Sequence, residues 1–270
     1  MEGKESGKER LDTAVARRGL APSREKARAL IMAGAVLVDG KVLDKPGARI
    51  SKESTVTVKE GLRYVSRGGY KLEHALAVFP VTVKDRICLD AGASTGGFTD
   101  CLLQHGAAQV IAVDVGYGQL SWKLRQDPRV IVMEKTNIRY LDPAELPVIP
   151  SLLTADLSFI SLTKVLPVFI RLLPADGEII ALVKPQFEAG REKVGKKGVV
   201  RAAETHKQVL AGVLAAAEAA GLRLGGITPS PLRGPEGNIE FLVYWKKQGE
   251  PAPDPDLEAI VAEAWQKDGI

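Results

Sequence analysis

The stretch Ile87-Cys88-Leu89-Asp90-Ala91-Gly92-Ala93-Ser94-Thr95-Gly96-Gly97-Phe98-Thr99 constrains this chain more than any other. A short apolar run ends in an acid, small residues form a tight turn, and an amphipathic segment, Phe98 to His105, begins at once. That order predicts a strand that delivers the chain directly into a helix. Glycines in the turn let backbone approach a ligand closely and take up positive φ, while the helix start offers free amides. A second apolar run, Val110 to Val113, ends at Asp114, twenty-two residues beyond Gly92. An acid at that offset is placed to bind the two hydroxyls of a ribose.

Two details separate this turn from a nicotinamide site. It does not spell G-x-G-x-x-G in the usual register, and Asp90 stands where a diphosphate would be repelled. S-adenosylmethionine carries no phosphate and has positive charge, so an acid at that place is compatible with it.

The rest of the chain agrees with an α/β body. Leu72 to Phe79 reads as a helix before the glycine turn. Gly116-Tyr117-Gly118 precedes a helix through Arg125, and Val130 to Met133 is a third strand with Asn137 just beyond it. Leu152 to Asp156 is a fourth strand, and Leu162 to Leu172 a helix with an expected kink at Pro167. Ile179 to Val183, ending at Lys184, is a fifth strand, and Ala203 to Ala220 a long helix. Two strands, Leu222 to Ile227 and Ile239 to Trp245, follow without a helix between them, so the last should run antiparallel. A Pro-rich and acidic spacer after Gln248 leads to a final helix, Leu257 to Trp265. Alternating strands and helices predict a parallel sheet covered on both faces. Seven strands with this ending resemble the class I, Rossmann-like methyltransferase fold. Ligands bind such sheets at the strands' carboxyl ends, where Asp90, Asp114, Asn137, Asp156 and Lys184 all fall.

The first quarter of the chain is different in character. Residues 1–62 hold 13 Lys and Arg against 9 Asp and Glu, so the whole formal excess of +4 lies there and the remainder is balanced. A small basic module joined to a neutral body suggests a part that binds a polyanion and guides a catalytic part. Residues 1–8 read as a polar tail without order. A short helix opens at Arg10-Leu11-Asp12 and closes at Gly19, and Ser23 caps a second helix from Arg24 to Ala33. Arg24 and Arg28 lie one turn apart on the same face. Val36 to Val42 reads as a hairpin on an Asp39-Gly40 turn, with a last strand at Thr55 to Val58. From Arg10 onward, through "GLAPSREKARALIMAGAVLVDGKVLDKPG", the module resembles a small α+β S-four-type RNA-binding domain. That resemblance implies that Arg17, Arg18, Arg24, Lys26 and Arg28 meet RNA phosphates. The expected organisation is an RNA-binding domain over residues 1–60, a linker over 61–66 and a methyltransferase domain over 67–270. Arg63 and Tyr64 in the linker could fix the domains together or touch RNA.

No apolar run is long enough to span a bilayer: the longest stretch free of acids and bases, Cys101 to Val113, is thirteen residues and contains Gln104, His105 and Gly106. The hydrophilic start, with no signal peptide in view, and two cysteines read as reduced packing residues lead to an expected cytoplasmic location. Three scattered histidines predict no metal.

Four polar residues are the candidates for chemistry: Lys71, Asp156, Lys184 and Glu240. The set suits methyl transfer to a sugar hydroxyl, a poor nucleophile that must lose its proton as the methyl arrives. Lys184 is the candidate base, and Lys71 the neighbouring cation that would favour its neutral form and orient the ribose oxygen. Asp156 and Glu240 would hold the lysines and keep the cluster near neutral.

Lys-Asp-Lys-Glu in this order resembles the tetrad of FtsJ-type ribose 2′-O-methyltransferases. The strings "VSRGGYKLEHAL", "CLDAGASTGGFTDCLL", "VDVGYGQL", "TADLSFISL", "LVKPQFEAG" and "SPLRGPEGNIEFL" resemble the TlyA family more specifically, over nearly the whole chain. Membership would imply S-adenosylmethionine-dependent 2′-O-methylation of cytidine in ribosomal RNA, in the large and in some members also the small subunit. It would place the tetrad on Lys71, Asp156, Lys184 and Glu240. The cofactor would lie on Asp90, Gly92, Ala93, Ser94, Gly96, Gly97, Phe98 and Asp114, with Asn137 and the stretch Asp156 to Phe159 completing the cofactor and target pockets. The family also carries the name hemolysin, so a membrane-active protein is one rival reading. An RNA-binding ribosome-assembly factor with secondary methylation is another. A base methylase is disfavoured, because Asp156-Leu157-Ser158-Phe159 replaces the usual Asn/Asp-Pro-Pro-Tyr/Phe.

If α-helical Arg24 and Arg28 meet phosphates, changing both to alanine weakens RNA binding and flattens its dependence on salt. A titration at several ionic strengths that returns the wild-type affinity and slope would refute the assignment.

Overall fold

The computed structural model describes residues 7–58, 63–195 and 198–266. The first six residues of the expected tail, residues 59–60 at the end of the expected RNA-binding domain and residues 61–62 of the expected linker lie outside the described residues. The chain divides into two compact units, Met1–Arg67 and Gly68–Ile270.

The first unit runs β1 (Lys8–Arg10), α1 (Leu11–Arg17), α2 (Arg24–Met32), β2 (Val36–Val38), β3 (Lys41–Val42), β4 (Arg49–Ser51) and β5 (Val56–Val58). Leu11, Ala14 and Val15 of α1 and Ala27 and Ile31 of α2 are fully buried and close on Val36, Val38 and Ile50. Ser23 caps α2 by accepting the Lys26 amide at 3.1 Å, a contact of a kind that contributes about 1 kcal/mol. The β2–β3 hairpin turns on Asp39 and Gly40, both at positive φ (50° and 79°), the conformation that matches the strands' own twist. Two strands were not foreseen. Lys8, assigned above to an unordered tail, pairs with Ser51 in an antiparallel β1–β4 ribbon. Three-residue strands are too short for any alternation to register. Tyr64 is buried, and Arg67 pairs with Asp44 at 2.6 Å.

The second unit runs α3 (Gly68–Val78), β6 (Ile87–Ala91), α4 (Gly97–Gln104), β7 (Gln109–Val113), α5 (Trp122–Arg125), β8 (Val130–Met133), β9 (Leu152–Ala155), α6 (Leu166–Leu172), β10 (Glu178–Val183), α7 (Pro185–Glu188), α8 (Ala203–Ala219), β11 (Arg223–Pro229), β12 (Phe241–Lys246) and α9 (Leu257–Gln266). One seven-stranded sheet orders them β11-β12-β10-β9-β6-β7-β8. It is the α/β architecture expected, with every strand boundary within two residues of its expected place. The central strands β6, β7, β9 and β10 are buried on both faces, as near-continuous apolar runs in parallel sheets must be. β12 inserts between β10 and β11, antiparallel to both.

Pro167 does not kink one long helix. A 3₁₀ turn, Leu162–Lys164, ends before α6, which begins at Leu166 with Pro167 in its first turn. Proline has no amide hydrogen to bond backwards, so it is tolerated only where that bond is missing anyway.

β6 has β7 on one side and β9 on the other. The chain leaves β6 in one direction and returns on its far side, and the crevice opens where those connections diverge. At the other edge, Arg86 and the Tyr244 hydroxyl both bind Glu178, and Arg86 Nε donates to Ser151 Oγ at 2.9 Å, tying β6, β10 and β12 together.

Candidate active site

A cavity of about 450 Å³ occupies the crevice. Of the residues expected to hold the cofactor, Gly92, Ser94, Asp114, Asn137 and Asp156 line it. Asp90, Ala93, Gly96, Gly97 and Phe98 do not, and act from behind the wall.

Gly92 needs its glycine: φ is +85°, and a Cβ there would stand 2.7 Å from the Asp156 carbonyl oxygen. Gly96 starts α4 at φ +96°, where a Cβ would lie 2.2 Å from Leu124 Cδ1. The first glycine opens the cavity and the second lets α5 pack on the turn. Asp114 accepts the Ser94 amide at 2.8 Å and the Gly116 amide at 2.7 Å. Its two oxygens therefore join the glycine turn to the loop after β7 at the wall of the cavity.

Asp90 is wholly buried. Its Oδ2 accepts the Thr99 amide at 2.9 Å and the Thr99 hydroxyl at 2.7 Å, which fastens α4 to β6. Its Oδ1 has no hydrogen-bond partner among the described residues. Burial pushes the carboxyl up to about 7, the Asp156 and Asp114 carboxylates push the same way, and the Thr99 bonds offset part of the rise.

The four chemical candidates converge. Lys184 follows β10 and reaches Asp156 Oδ1 at 2.5 Å and Ser158 Oγ at 3.1 Å. Lys71 of α3 meets Glu240 Oε2 at 2.5 Å, with Glu240 just before β12. Lys71, Lys184 and Glu240 are 7%, 8% and 1% exposed. Burial works against the Asp156 carboxylate, but Lys184 and then Lys71 outweigh it and hold that group below its ordinary value. Each lysine thus has its own carboxylate partner, rather than the two facing each other without compensation. Gly234 backs the cluster, since a Cβ there would sit 2.1 Å from Glu240 Oε1.

Sequence reasoning missed Gln119, Thr136 and Ile160, which also line the cavity. Thr136 is brought in by its amide bond to the Asp114 carbonyl at 3.0 Å. Only its position beside Asn137 could have signalled it. Phe159 stands 91% exposed at positive φ (66°).

The basic residues of the first unit are not equivalent. Arg17 and Arg18 both bind Glu9, at 2.8 and 3.2 Å, and Arg18 also donates to the Ser54 carbonyl. Arg24 shares the buried Asp12 with Arg10, at 3.1 and 2.9 Å. Arg10 and Arg24 hold that carboxylate far below its usual range against the cost of burial. Lys26 and Arg28 are exposed on α2.

A Rossmann-like sheet with a glycine turn, an acid after its second strand and an acid-lined cavity at the switch point defines the class of S-adenosylmethionine-dependent methyltransferases. The residues suit that cofactor: a cradle without room for a Cβ, and carboxylates where a diphosphate would be repelled. An FtsJ-like methyltransferase model matches residues 64–247, and an S4 domain model matches residues 9–56. The YqxC protein of Bacillus subtilis is 53% identical over 266 residues, covering 96% of this chain and 95% of that protein. A 16S/23S rRNA (cytidine-2′-O)-methyltransferase, TlyA of Mycobacterium tuberculosis, is 46% identical over 245 residues, covering 90% and 91%. The solved structure of a protein described as a hemolysin, from Streptococcus thermophilus, is 47% identical with a TM-score of 0.77, covering 97% of each chain. The chain belongs to the FtsJ-like methyltransferase family, and within it to the TlyA group. Among the described residues no helix is long and apolar enough to cross a membrane.

Two tests follow from the buried charges. Lys71→Met leaves Glu240 buried and alone, which costs roughly 3–5 kcal/mol, whereas Lys71→Met with Glu240→Leu restores most of the stability. Urea denaturation of the single and double variants checks this, and equal losses would refute it. Asp90 supplies the second. Its carboxyl rises from 3.8 to about 7 on folding, so the cofactor-free protein loses stability as pH climbs between those values. Asp90→Asn removes this contribution, so the stability difference between the variant and wild type should move in the variant's favour from pH 4 to pH 7 and level off above it, as urea denaturation at each pH checks; a difference independent of pH would refute it.

Proposed function

We propose that this protein transfers the methyl group of S-adenosylmethionine to the 2′-hydroxyl of a cytidine in ribosomal RNA. The observation that carries the reading is the pair of buried contacts, Lys184–Asp156 and Lys71–Glu240, set at the edge of the cofactor cavity through the shared Asp156 and Ser158. Bound there, S-adenosylmethionine supplies an electrophilic methyl on a sulfonium.

The chain's own residues supply the rest. Ser94, Asp114 and Asn137, which line the cavity beside the glycine turn, would hold the nucleoside end of the cofactor. Lys184, steadied by Asp156 and Ser158, would take the proton of the hydroxyl as it attacks, in its neutral form and so only after its ion-pair proton has left to solvent. Lys71, steadied by Glu240, orients the ribose oxygen. Burial of Lys71, Lys184 and Glu240 limits the access of water, so alignment of the attacking oxygen supplies much of the acceleration.

Residues 1–60 would serve as the RNA-binding domain and 67–270 as the methyltransferase domain, with α2 presenting Arg24, Lys26 and Arg28 to phosphates. The Mycobacterium tuberculosis relative is named for cytidine 2′-O-methylation in both subunit RNAs, which supports the substrate. Such a reaction belongs in the cytoplasm, where ribosomes are assembled. The hemolysin description of the Streptococcus thermophilus relative gains no support from this site, since paired buried lysines serve proton transfer and have no use in lysis.

Purified ribosomal subunits, incubated with labelled cofactor and mapped by resistance to alkaline cleavage, test the proposal. Label should appear on a cytidine ribose and fall by about 10²-fold or more in Lys184→Ala. Label on a base, or undiminished transfer by the variant, would overturn it.

A further inference from the structure

The loop between β9 and the 3₁₀ turn at Leu162 carries both a wall of the cofactor cavity and the partner of Lys184. Leu157, Ser158, Phe159 and Ile160 line the cavity, and Ser158 Oγ accepts from Lys184 Nζ. The loop is strained: Phe159, a bulky aromatic, holds φ at 66°, a conformation that persists only where surrounding contacts impose it.

One short segment contacts this loop at three places. Lys184 caps α7, and α7 ends in Phe187 and Glu188. The Phe187 ring lies 5.1 Å from that of Phe159. Glu188 takes the far end of the loop with both oxygens: Oε2 accepts Ser161 Oγ at 2.5 Å, and Oε1 accepts the Leu162 amide at 2.7 Å. One side chain thus joins the loop's exit to the four-residue helix that begins beside the candidate base.

Resting on the proposed function, we infer that Glu188 is a positioning residue, which clamps the 157–161 loop to the Lys184 segment and so sets where Ser158 stands relative to the Lys184 amine. Burial pushes the Glu188 carboxyl up, and Ser161, Leu162 and the charge of Lys164 only partly offset this. Both Glu188 oxygens are thus engaged as acceptors at the loop's exit. Each oxygen fixes a different residue, and a shorter or apolar side chain reproduces neither bond.

The test compares Glu188→Ala, Glu188→Gln, Ser161→Ala and the Ser161→Ala/Glu188→Ala double variant. Each is measured for S-adenosylmethionine affinity by calorimetry and for kcat and KM on ribosomal subunits. Glu188→Ala should lose about tenfold or more in kcat with a smaller change in KM for RNA, because a displaced loop misaligns the reacting groups. Its cofactor affinity should fall too, since the same loop walls the cavity. Glu188→Gln should recover most of both, its carbonyl accepting from Leu162 and its amide donating to Ser161. Ser161→Ala should add little once Glu188 is gone.

Wild-type behaviour of Glu188→Ala, equal impairment of Ala and Gln, or additivity with Ser161→Ala would each overturn the inference. Should Glu188→Ala not fold, Glu188→Gln and Ser161→Ala still decide it: near-wild-type Gln with impaired Ser161→Ala supports the clamp, and the reverse refutes it. Cofactor affinity is read without RNA, so a wild type that binds cofactor but methylates no ribosomal RNA defeats the substrate assignment and leaves the clamp open to judgement on its own data.

Discussion

Charge cannot be buried alone, and that constraint governs where this sheet puts its strands. Lys71, Lys184 and Glu240 are nearly inaccessible, and removing any one partner would leave an ion whose desolvation costs several kcal/mol. All must therefore arrive at one edge. β9 and β10 are parallel neighbours, so Asp156 and Lys184 emerge side by side. Glu240 belongs to a strand that runs the other way. Because β12 is antiparallel, its beginning lies at the same edge, and the register Val183↔Phe241 sets Lys184 level with Glu240. A seventh strand parallel to the rest would have delivered Glu240 to the opposite side of the sheet. The inserted strand is thus the topological condition for the lysine–carboxylate cluster.

The same edge holds two acids with different work. Asp114 is satisfied by two backbone amides and shapes the cavity wall. Asp90 is hidden behind it, half satisfied by Thr99, with one oxygen unpartnered among the described residues. Its resting environment disfavours charge, through burial and through two neighbouring carboxylates. A cation arriving in the cavity changes that balance in the direction of ionisation.

Much of this was legible before any coordinates. Long apolar runs ending in Asp90, Asp114, Asp156 and Lys184 announce parallel strands and the edge where their ends gather, because buried strands leave an unbroken pattern. The missing helix before the last strand announced its reversal. What escaped lacks a period. The strands Lys8–Arg10 and Arg49–Ser51 are three residues each, and the cavity residues Gln119, Thr136 and Ile160 sit on loops whose approach depends on tertiary bonds. Asp156 and Glu240 were expected to hold the two lysines, but which acid takes which lysine came only with the structure: Asp156 meets Lys184 and Glu240 meets Lys71. Gly96 reads as ligand contact until Leu124 is seen packed against it.

The basic module shows how acids can serve an anion-binding surface. Arg17 and Arg18 share Glu9, and Arg10 and Arg24 share Asp12. In each cluster two guanidinium groups face one carboxylate, so a net positive charge survives. Free arginines carry about 2 kcal/mol of rotamer entropy, much of which is lost on docking. A guanidinium already held by a carboxylate has surrendered part of that freedom in the folded protein, and planar forks so fixed can meet phosphate oxygens in a set direction. Arg18, bound also to the Ser54 carbonyl, is the most committed to holding the module together. Arg24 keeps a side chain 57% exposed beside its bond to Asp12. It combines a fixed direction with an open face, while Lys26 and Arg28 on the same helix are exposed and form no ion pair among the described residues. On the proposed RNA-binding reading the exposed pair would contribute affinity and the tethered Arg24 orientation, and the acids of this module would serve the second.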